Sequence, residues 1–428
     1  MTKLCLMAAL FVLAAQSVAA QVDLISINKV SEDTTATLAE LQDPRHLRDG
    51  YVRVSLRYPG IYRITGKELQ EAGVDLKSVV SERLALWNEG RQIPIHVSAE
   101  PGNPFQADDI IEFVGSFPKG TFSTYKVYNT FNIYFLTWTT ENLVRYRQVT
   151  VPASERVVRG ASFMETRLRD EDFRFQRTFQ PPGVTDEFFW ITYRAGQDMK
   201  FRLRLDFPGF DHSAGLPVSL RFRLFGLSNV PGLRPGHKFG IRYGDYDLGT
   251  FSFDGVRYHD FETTLAADRI REQQLITLTT PEERLDKVDM VALDNILVRY
   301  PRRLDAEGRS LFRFNNELLG VDLPAIVEVD GMGRGARVFS PDTRELFLAG
   351  SEDATTVGVR MGHGTAWYYA VAGNGHYHVD QLELKGPNHL AGRISSDTEL
   401  LLLYHQDVGK AARAMAGYRT VTGMKVAA

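Results

Sequence analysis

The sequence predicts a mainly β protein: two or three consecutive β-sandwich domains followed by an incomplete α/β (βαβ) start. Three observations carry this. Short runs rich in Val, Ile, Phe and Tyr recur from Tyr51 onward between Gly, Pro and Asn punctuation. Within the clearest runs apolar and polar residues alternate, which is the two-residue period of a sheet with one buried face. Only the last thirty residues change character, to a continuous apolar run followed by a helical pattern. The chain has 428 residues, 43% of them hydrophobic, including 26 Phe and 17 Tyr. That is enough for several cores, and it excludes a disordered polymer.

Residues 1–20 read as a secretory signal peptide. Lys3 supplies the positive start, Leu4 to Ala15 the apolar stretch, and Val18-Ala19-Ala20 a small-residue cleavage site before Gln21. The apolar stretch is too short to span a membrane, and no Cys follows the cleavage site for lipid attachment. The single cysteine, Cys5, lies inside this segment. The exported protein is therefore expected to hold no cysteine, which excludes disulfides, a thiol nucleophile and a thiolate metal site. Loss of Lys3 moves the formal charge of −3 to −4. No later stretch reaches the roughly 18–20 uncharged residues of a membrane helix, so no membrane span is expected. The expected location is periplasmic, cell-surface or extracellular.

The first domain is placed at 21–152. Tyr51 to Arg57 reads as a strand, and Pro59-Gly60 turns the chain into a second, Ile61 to Ile64. Thr65 with Glu68 three residues on is a capping box for a short helix through Ala72, which Gly73 ends. Arg83 to Trp87 and Ile93 to Val97 flank Asn88-Glu89-Gly90, a hairpin signal, and Asn132 to Trp138 is an apolar closing strand. The second domain, 160–304, has the clearest alternation: Phe201, Leu203, Leu205 and Phe207 against Lys200, Arg202, Arg204 and Asp206, and Leu220, Phe222 and Leu224 against Arg221 and Arg223. Two such strands would share a basic outer face, either an acidic partner's site or Arg stems covering a sheet. Gly244 to Gly249 reads as a hairpin turn without calcium-loop spacing. Pro301 is expected to end the strand Met290 to Tyr300.

A third, smaller β-rich domain is placed at 305–390, with strands at Val327 to Val329, Ala336 to Phe339, Glu345 to Leu348 and Trp367 to Val371. At 398–428, Glu399 to Tyr404 suits a strand buried on both faces. Asp407 caps a helix with apolar positions at Val408, Ala411, Ala412, Met415 and Tyr418, and Met424-Lys425-Val426 opens a further strand. Such a unit needs a larger sheet around it, so the chain is expected to end inside a domain.

No GxSxG, HExxH, phosphate-loop or dinucleotide motif occurs. His363, His376 and His378, with a carboxylate such as Asp380, are a candidate metal group, set against solvated imidazoles in a Gly-rich turn. Asp108, Asp109 and Glu112 invite comparison with paired glycosidase carboxylates but read more simply as a turn entering a strand. Phe188, Phe189, Trp190 and Tyr193 are either a stacking platform for sugar rings, through Trp190 and Tyr193, or half core and half edge. Ten scattered histidines leave Ser-His-Asp chemistry without a local signal.

Several segments, in order, resemble secreted gingipain-type cysteine peptidases. Tyr58-Pro59-Gly60-Ile61-Tyr62-Arg63-Ile64-Thr65, Leu84-Ala85-Leu86-Trp87-Asn88-Glu89-Gly90, Ala107 to Gly115 and Asn132 to Trp138 resemble the N-terminal region of that family. His237-Lys238-Phe239 through Phe253-Asp254-Gly255, and Leu293 to Arg302, resemble its jelly-roll domain; Glu399 to Val426 resembles the start of its caspase-like catalytic domain. The resemblance implies a first domain like a prosegment, which assists folding and maintains latency, and a cognate peptidase catalytic domain as partner. The family's Cys and His would lie beyond Ala428, so no catalytic residue transfers and the chain alone is expected to be inactive. By the same resemblance, an inhibitory loop would cross the cleft, and Pro118 to Lys126 supplies Lys119 and Lys126 as its candidates. The alternative is a secreted module that binds a carbohydrate or a cell surface. No cofactor and no nucleic-acid partner are expected.

Overall fold

The computed structural model describes residues 50–116, 131–138, 140, 143–152, 155–171, 173–176, 188–195, 202–271, 275–386, 400–401, 409–421 and 425–427. The signal segment and the loop bearing Lys119 and Lys126 lie outside them. The chain divides into two compact units: Gly50–Leu86 with Ile93–Gly386, and a second that takes Trp87–Gln92 and the residues from Pro387 on.

The larger unit is built of mostly antiparallel sheets, as the alternation suggests. Tyr51–Leu56 pairs with Asn132–Thr137 on one side and with Gln381–Lys385 on the other, in the register Tyr51↔Lys385. Gly60–Thr65 pairs antiparallel with Ile110–Gly115 and parallel with Tyr377–His378. Strands near residue 380 thus complete two sheets that begin near residue 51. The capping box forms as the Thr65/Glu68 spacing predicts: Glu68 N donates to Thr65 Oγ1 at 3.2 Å, and Thr65 N to Glu68 Oε2 at 2.7 Å. The helix Gly66–Glu71 starts with glycine because a Cβ at Gly66 would lie 1.9 Å from the Gln106 carbonyl oxygen. Val52, Val54, Tyr62, Ile64, Ile111, Phe113 and Leu136 form the core of this region.

Residues 162–303 form a sandwich. One sheet runs Ile191–Arg194, Met290–Arg303, Val218–Gly226, Tyr258–Leu265, with Ser162–Asp170 also paired to Met290–Arg303; the other runs Arg202–Arg204, Leu275–Thr279, His237–Tyr243, Tyr246–Phe253. Leu220, Phe222 and Leu224 from the first meet Phe239, Ile241, Ile276 and Leu278 from the second in one core. The shared basic face is not formed. Arg204 belongs to one sheet and Arg221 and Arg223 to the other, so their outward sides face opposite ways. Arg223 instead pairs with Asp294 at 3.5 Å and lies over the Tyr258 ring.

Pro301 does not end its strand, which continues to Arg303. At this point Val218–Gly226 has already run out, and Pro301 faces Met164, whose own N–H goes to Glu317 O at 2.9 Å. No ladder bond needs the N–H that proline lacks, and its carbonyl accepts from Asp211 N at 3.0 Å.

Beyond 304, Leu311–Asn315, Trp367–Val371, Arg337–Ser340 and Glu345–Leu348 form a sheet whose edge is Arg147–Thr150 in parallel register, while Ala325–Val329 pairs with Val357–Met361. A small cluster of Ile61, Tyr146, Phe339, Leu346 and Val371 joins this sheet to the first region.

In the second unit, Glu89 (φ 49°) and Gly90 (φ 76°) make the left-handed two-residue turn that Asn88-Glu89-Gly90 predicts. Leu400–Leu401 pairs parallel with Val426–Ala427, and the helix Gly409–Val421 lies between them in sequence. This is the βαβ start read from the sequence, with Met415 and Tyr418 exposed. No helix among the described residues is long and apolar enough to cross a membrane.

Candidate functional site

A buried cluster of ionisable side chains sits where the first region meets the sheet beyond 304. Its centre is Glu112, which has no exposed surface. Residue 112 points away from the core that holds Ile111 and Phe113, into the buried joint with the sheet beyond 304, where a carboxylate needs full compensation. Two arginines supply it. Arg63, directly opposite on Gly60–Thr65, donates Nε and Nη2 to Glu112 Oε1 at 3.0 and 2.8 Å. Arg337, from Arg337–Ser340, donates Nη2 to Oε1 at 2.8 Å and Nη1 to Oε2. Each arginine forks onto the carboxylate from a different sheet, so the charge is held from both sides.

Three histidines surround this centre. His96 is the cross-strand neighbour of Glu112; burial lowers its pKa, against the pull of the Glu112 charge. His376 is buried, and its pKa is pushed down to about 4, first by burial and then by the Arg63 and His378 charges. Its Nδ1 has no hydrogen-bond partner among the described residues. His378 lies two residues on, with ring centroids 5.3 Å apart, and is exposed beside Glu68 at 3.4 Å. The chemistry open to this group is narrow. Glu112 accepts from two guanidinium groups and has no access to water, so it is not placed to move a proton. The arrangement clamps two sheets together.

The residues singled out from the sequence fall as follows. Trp190 and Tyr193 are 8% and 5% exposed and belong to the sandwich core. The Tyr193 ring meets Phe239 edge-on, and its hydroxyl pairs with Thr280 Oγ1 at 2.8 Å. Neither offers a face to a sugar, because an aromatic run on a strand that packs into a sandwich spends its rings on the core. The candidate stacking role is therefore corrected in favour of the core reading. His376 lies just before the short strand Tyr377–His378, its ring near that of His378 but buried where His378 is exposed, while His363 is exposed on the loop after Val357–Met361. Asp380 is engaged by Arg57 at 3.4 Å. Among the described residues no group of three or more His, Cys, Asp or Glu is placed to hold a metal. Asp109 closes a turn, accepting from Gln106 N at 2.7 Å and from Ser98 Oγ at 3.1 Å. Lys119 and Lys126 lie outside the described residues.

Sequence reading did not find the buried His237–Asp289 pair, with Nδ1 to Oδ1 at 2.7 Å. It has the geometry of a base and its orienting acid, yet a Cβ on Gly226 would come within 2.5 Å of His237 Nε2. The space a nucleophile would need is filled by backbone, so the pair is a core polar link. His237 and Asp289 lie 52 residues apart, and no local motif marks them.

Comparison with known proteins bears on the fold. No family model matches the chain, and no curated protein matches it in sequence. Among solved structures, dimeric latent PorU from Porphyromonas gingivalis aligns with a TM-score of 0.64 at 15% identity, over 89% of this chain and 37% of that one. The chain thus spans well under half the length of that protein, and the likeness shows a related fold. The CBM36-1 domain of a multidomain xylanase from the hindgut metagenome of Trinervitermes trinervoides aligns with a TM-score of 0.22 at 12% identity, over 31% of this chain and 96% of that domain. The ANX2 ectodomain from Arabidopsis thaliana aligns at 0.20 and 10%, over 60% and 79%. Scores this low carry no argument about the fold.

Proposed function

We propose that this chain is the non-catalytic N-terminal portion of an exported gingipain-type cysteine peptidase, serving its folding and latency. The observation that carries the reading is the fold likeness to latent PorU across 89% of this chain, although the chain covers only 37% of that protein. The ordered motifs that resemble the gingipain N-terminal, jelly-roll and early catalytic segments support it independently. The sole cysteine, Cys5, lies in the expected signal segment, so the thiol chemistry belongs to a separate catalytic domain. Lys119 and Lys126 are the proposed inhibitory contacts.

The test is to add the purified chain to a separately expressed gingipain-type catalytic domain from the same source. A stoichiometric complex on size exclusion, with slowed peptide hydrolysis, is expected. Absence of any complex at micromolar concentrations would overturn the reading. Unchanged inhibition by the Lys119→Ala, Lys126→Ala double variant would remove only the loop assignment.

A further inference from the structure

A second group of arginines, sharing no residue with the Glu112 cluster, carries a larger net positive charge. A cleft of about 440 Å³ is lined by Glu165, Arg167, Asp206, Arg302, Arg309 and Arg313, with Pro208, Leu311 and Phe312 as its apolar wall. That volume lies within the range of small-molecule sites. Arg302 is 7% exposed, donates Nη1 to Glu165 Oε2 at 2.7 Å, and stacks over the Phe312 ring at 4.7 Å. Its Nε is buried without a hydrogen-bond partner among the described residues. Arg167 pairs with Asp206 at 3.5 Å. Arg309 pairs with Glu307 at 2.7 Å, a carboxylate that Arg303 also claims at 3.1 Å. Arg313 is exposed, stacks over Trp367 at 4.0 Å, and makes no ion pair with a carboxylate among the described residues.

Four guanidinium groups therefore face two lining carboxylates, an excess of two positive charges. Including Glu307 and Arg303 leaves that excess unchanged. Two of the arginines are stacked on aromatic rings, which fixes the planes of their donor forks without consuming their donors. A concave, partly apolar cleft with fixed excess charge concentrates its field on an anion of opposite charge.

We propose that this cleft binds a phosphate monoester dianion carried on a small polar ligand, with Arg313 and Arg309 as the principal donors and Arg302 as a fixed third. The double charge matches the excess, and three acceptor oxygens suit several guanidinium forks at once. The apolar wall of Leu311 and Phe312 and the cleft volume leave room for a carrier beyond the phosphate itself.

Titration calorimetry of the full chain with glycerol 3-phosphate tests this, with inorganic phosphate, acetate and glycerol at matched ionic strength as comparisons. Saturable binding of glycerol 3-phosphate, weaker binding of inorganic phosphate and none of acetate or glycerol are expected. In the Arg309→Gln, Arg313→Gln double variant the Kd should rise at least tenfold, with thermal midpoint in chloride unchanged. Both side chains are at the surface or half-buried, so folding is not at stake. Acetate binding as tightly as glycerol 3-phosphate would overturn the dianion assignment. Equal affinity in the double variant would overturn the site.

Discussion

The Glu112 cluster and the arginine cleft use the same residue types to opposite ends. In the first, two guanidinium groups converge on one carboxylate that has no exposed surface, every acceptor is used, and the surplus charge lies on arginines that are about one-fifth exposed. In the second the ratio of arginine to carboxylate is the same two to one, but the net excess is two charges, and the arginines spread around an open wall where Arg313 has no carboxylate partner among the described residues. The lesson is that compensation, and not the number of arginines, separates a clamp from a binding surface. A buried carboxylate must be satisfied from within the fold, whereas an exposed excess of positive charge is tolerated because water screens it.

The largest expected effect breaks the clamp. Glu112→Gln leaves two facing guanidinium groups without their counter-charge and should cost about 3–5 kcal/mol, read from urea unfolding. Replacing Glu112, Arg63 and Arg337 together by Met should recover most of that loss, since breaking a buried ion network costs far more than removing it whole. If the single and triple variants were equally unstable, shape and not charge would govern the joint.

The next effect concerns pH. His376 has its pKa pushed down to about 4 from an ordinary value near 6.5, chiefly by burial, so the folded state binds its proton less readily than the unfolded chain. Between these values the unfolded state holds more protons, and stability therefore falls as pH drops from about 6.5 to 4. Each unit of that difference corresponds to about 1.4 kcal/mol, giving a loss on the order of 3 kcal/mol. Burial lowers His96 in the same direction, adding to the slope. Urea midpoints measured across this window should lose most of their pH dependence in His376→Gln.

The smallest expected effect sharpens the contrast from the other side. Arg313→Gln removes an exposed cation that has no carboxylate partner among the described residues and loses only its stack on Trp367, so its unfolding free energy in chloride should stay within about 1 kcal/mol of the parent. A loss comparable to that of Glu112→Gln would make the cleft a structural joint and erase the distinction.

Local features were legible from the residues alone. The alternation of Leu220, Phe222 and Leu224 marked a half-buried strand, Thr65 with Glu68 marked a helix start, and Asn88-Glu89-Gly90 marked a left-handed turn. Each is a property of a few neighbouring side chains. Trp190 and Tyr193 show where that reasoning stopped, because a run of aromatics has the same pattern whether the opposing sheet covers it or leaves it open. Glu112 was read with Asp108 and Asp109 as part of an acidic turn, since its partner Arg337 lies 225 residues away.

By itself the sequence determined the class of fold: a predominantly β chain of alternating strands with a short βαβ segment near Ala428, and no thiol beyond Cys5. Periodicity, capping and composition act over a few residues, and so survive in a linear reading. Only the tertiary structure decided which sheet each strand joined, that Gln381–Lys385 completes the sheet of Tyr51–Leu56, and which arginines meet a carboxylate. Those choices depend on pairing across hundreds of residues, where burial and charge compensation, rather than local preference, select the partner.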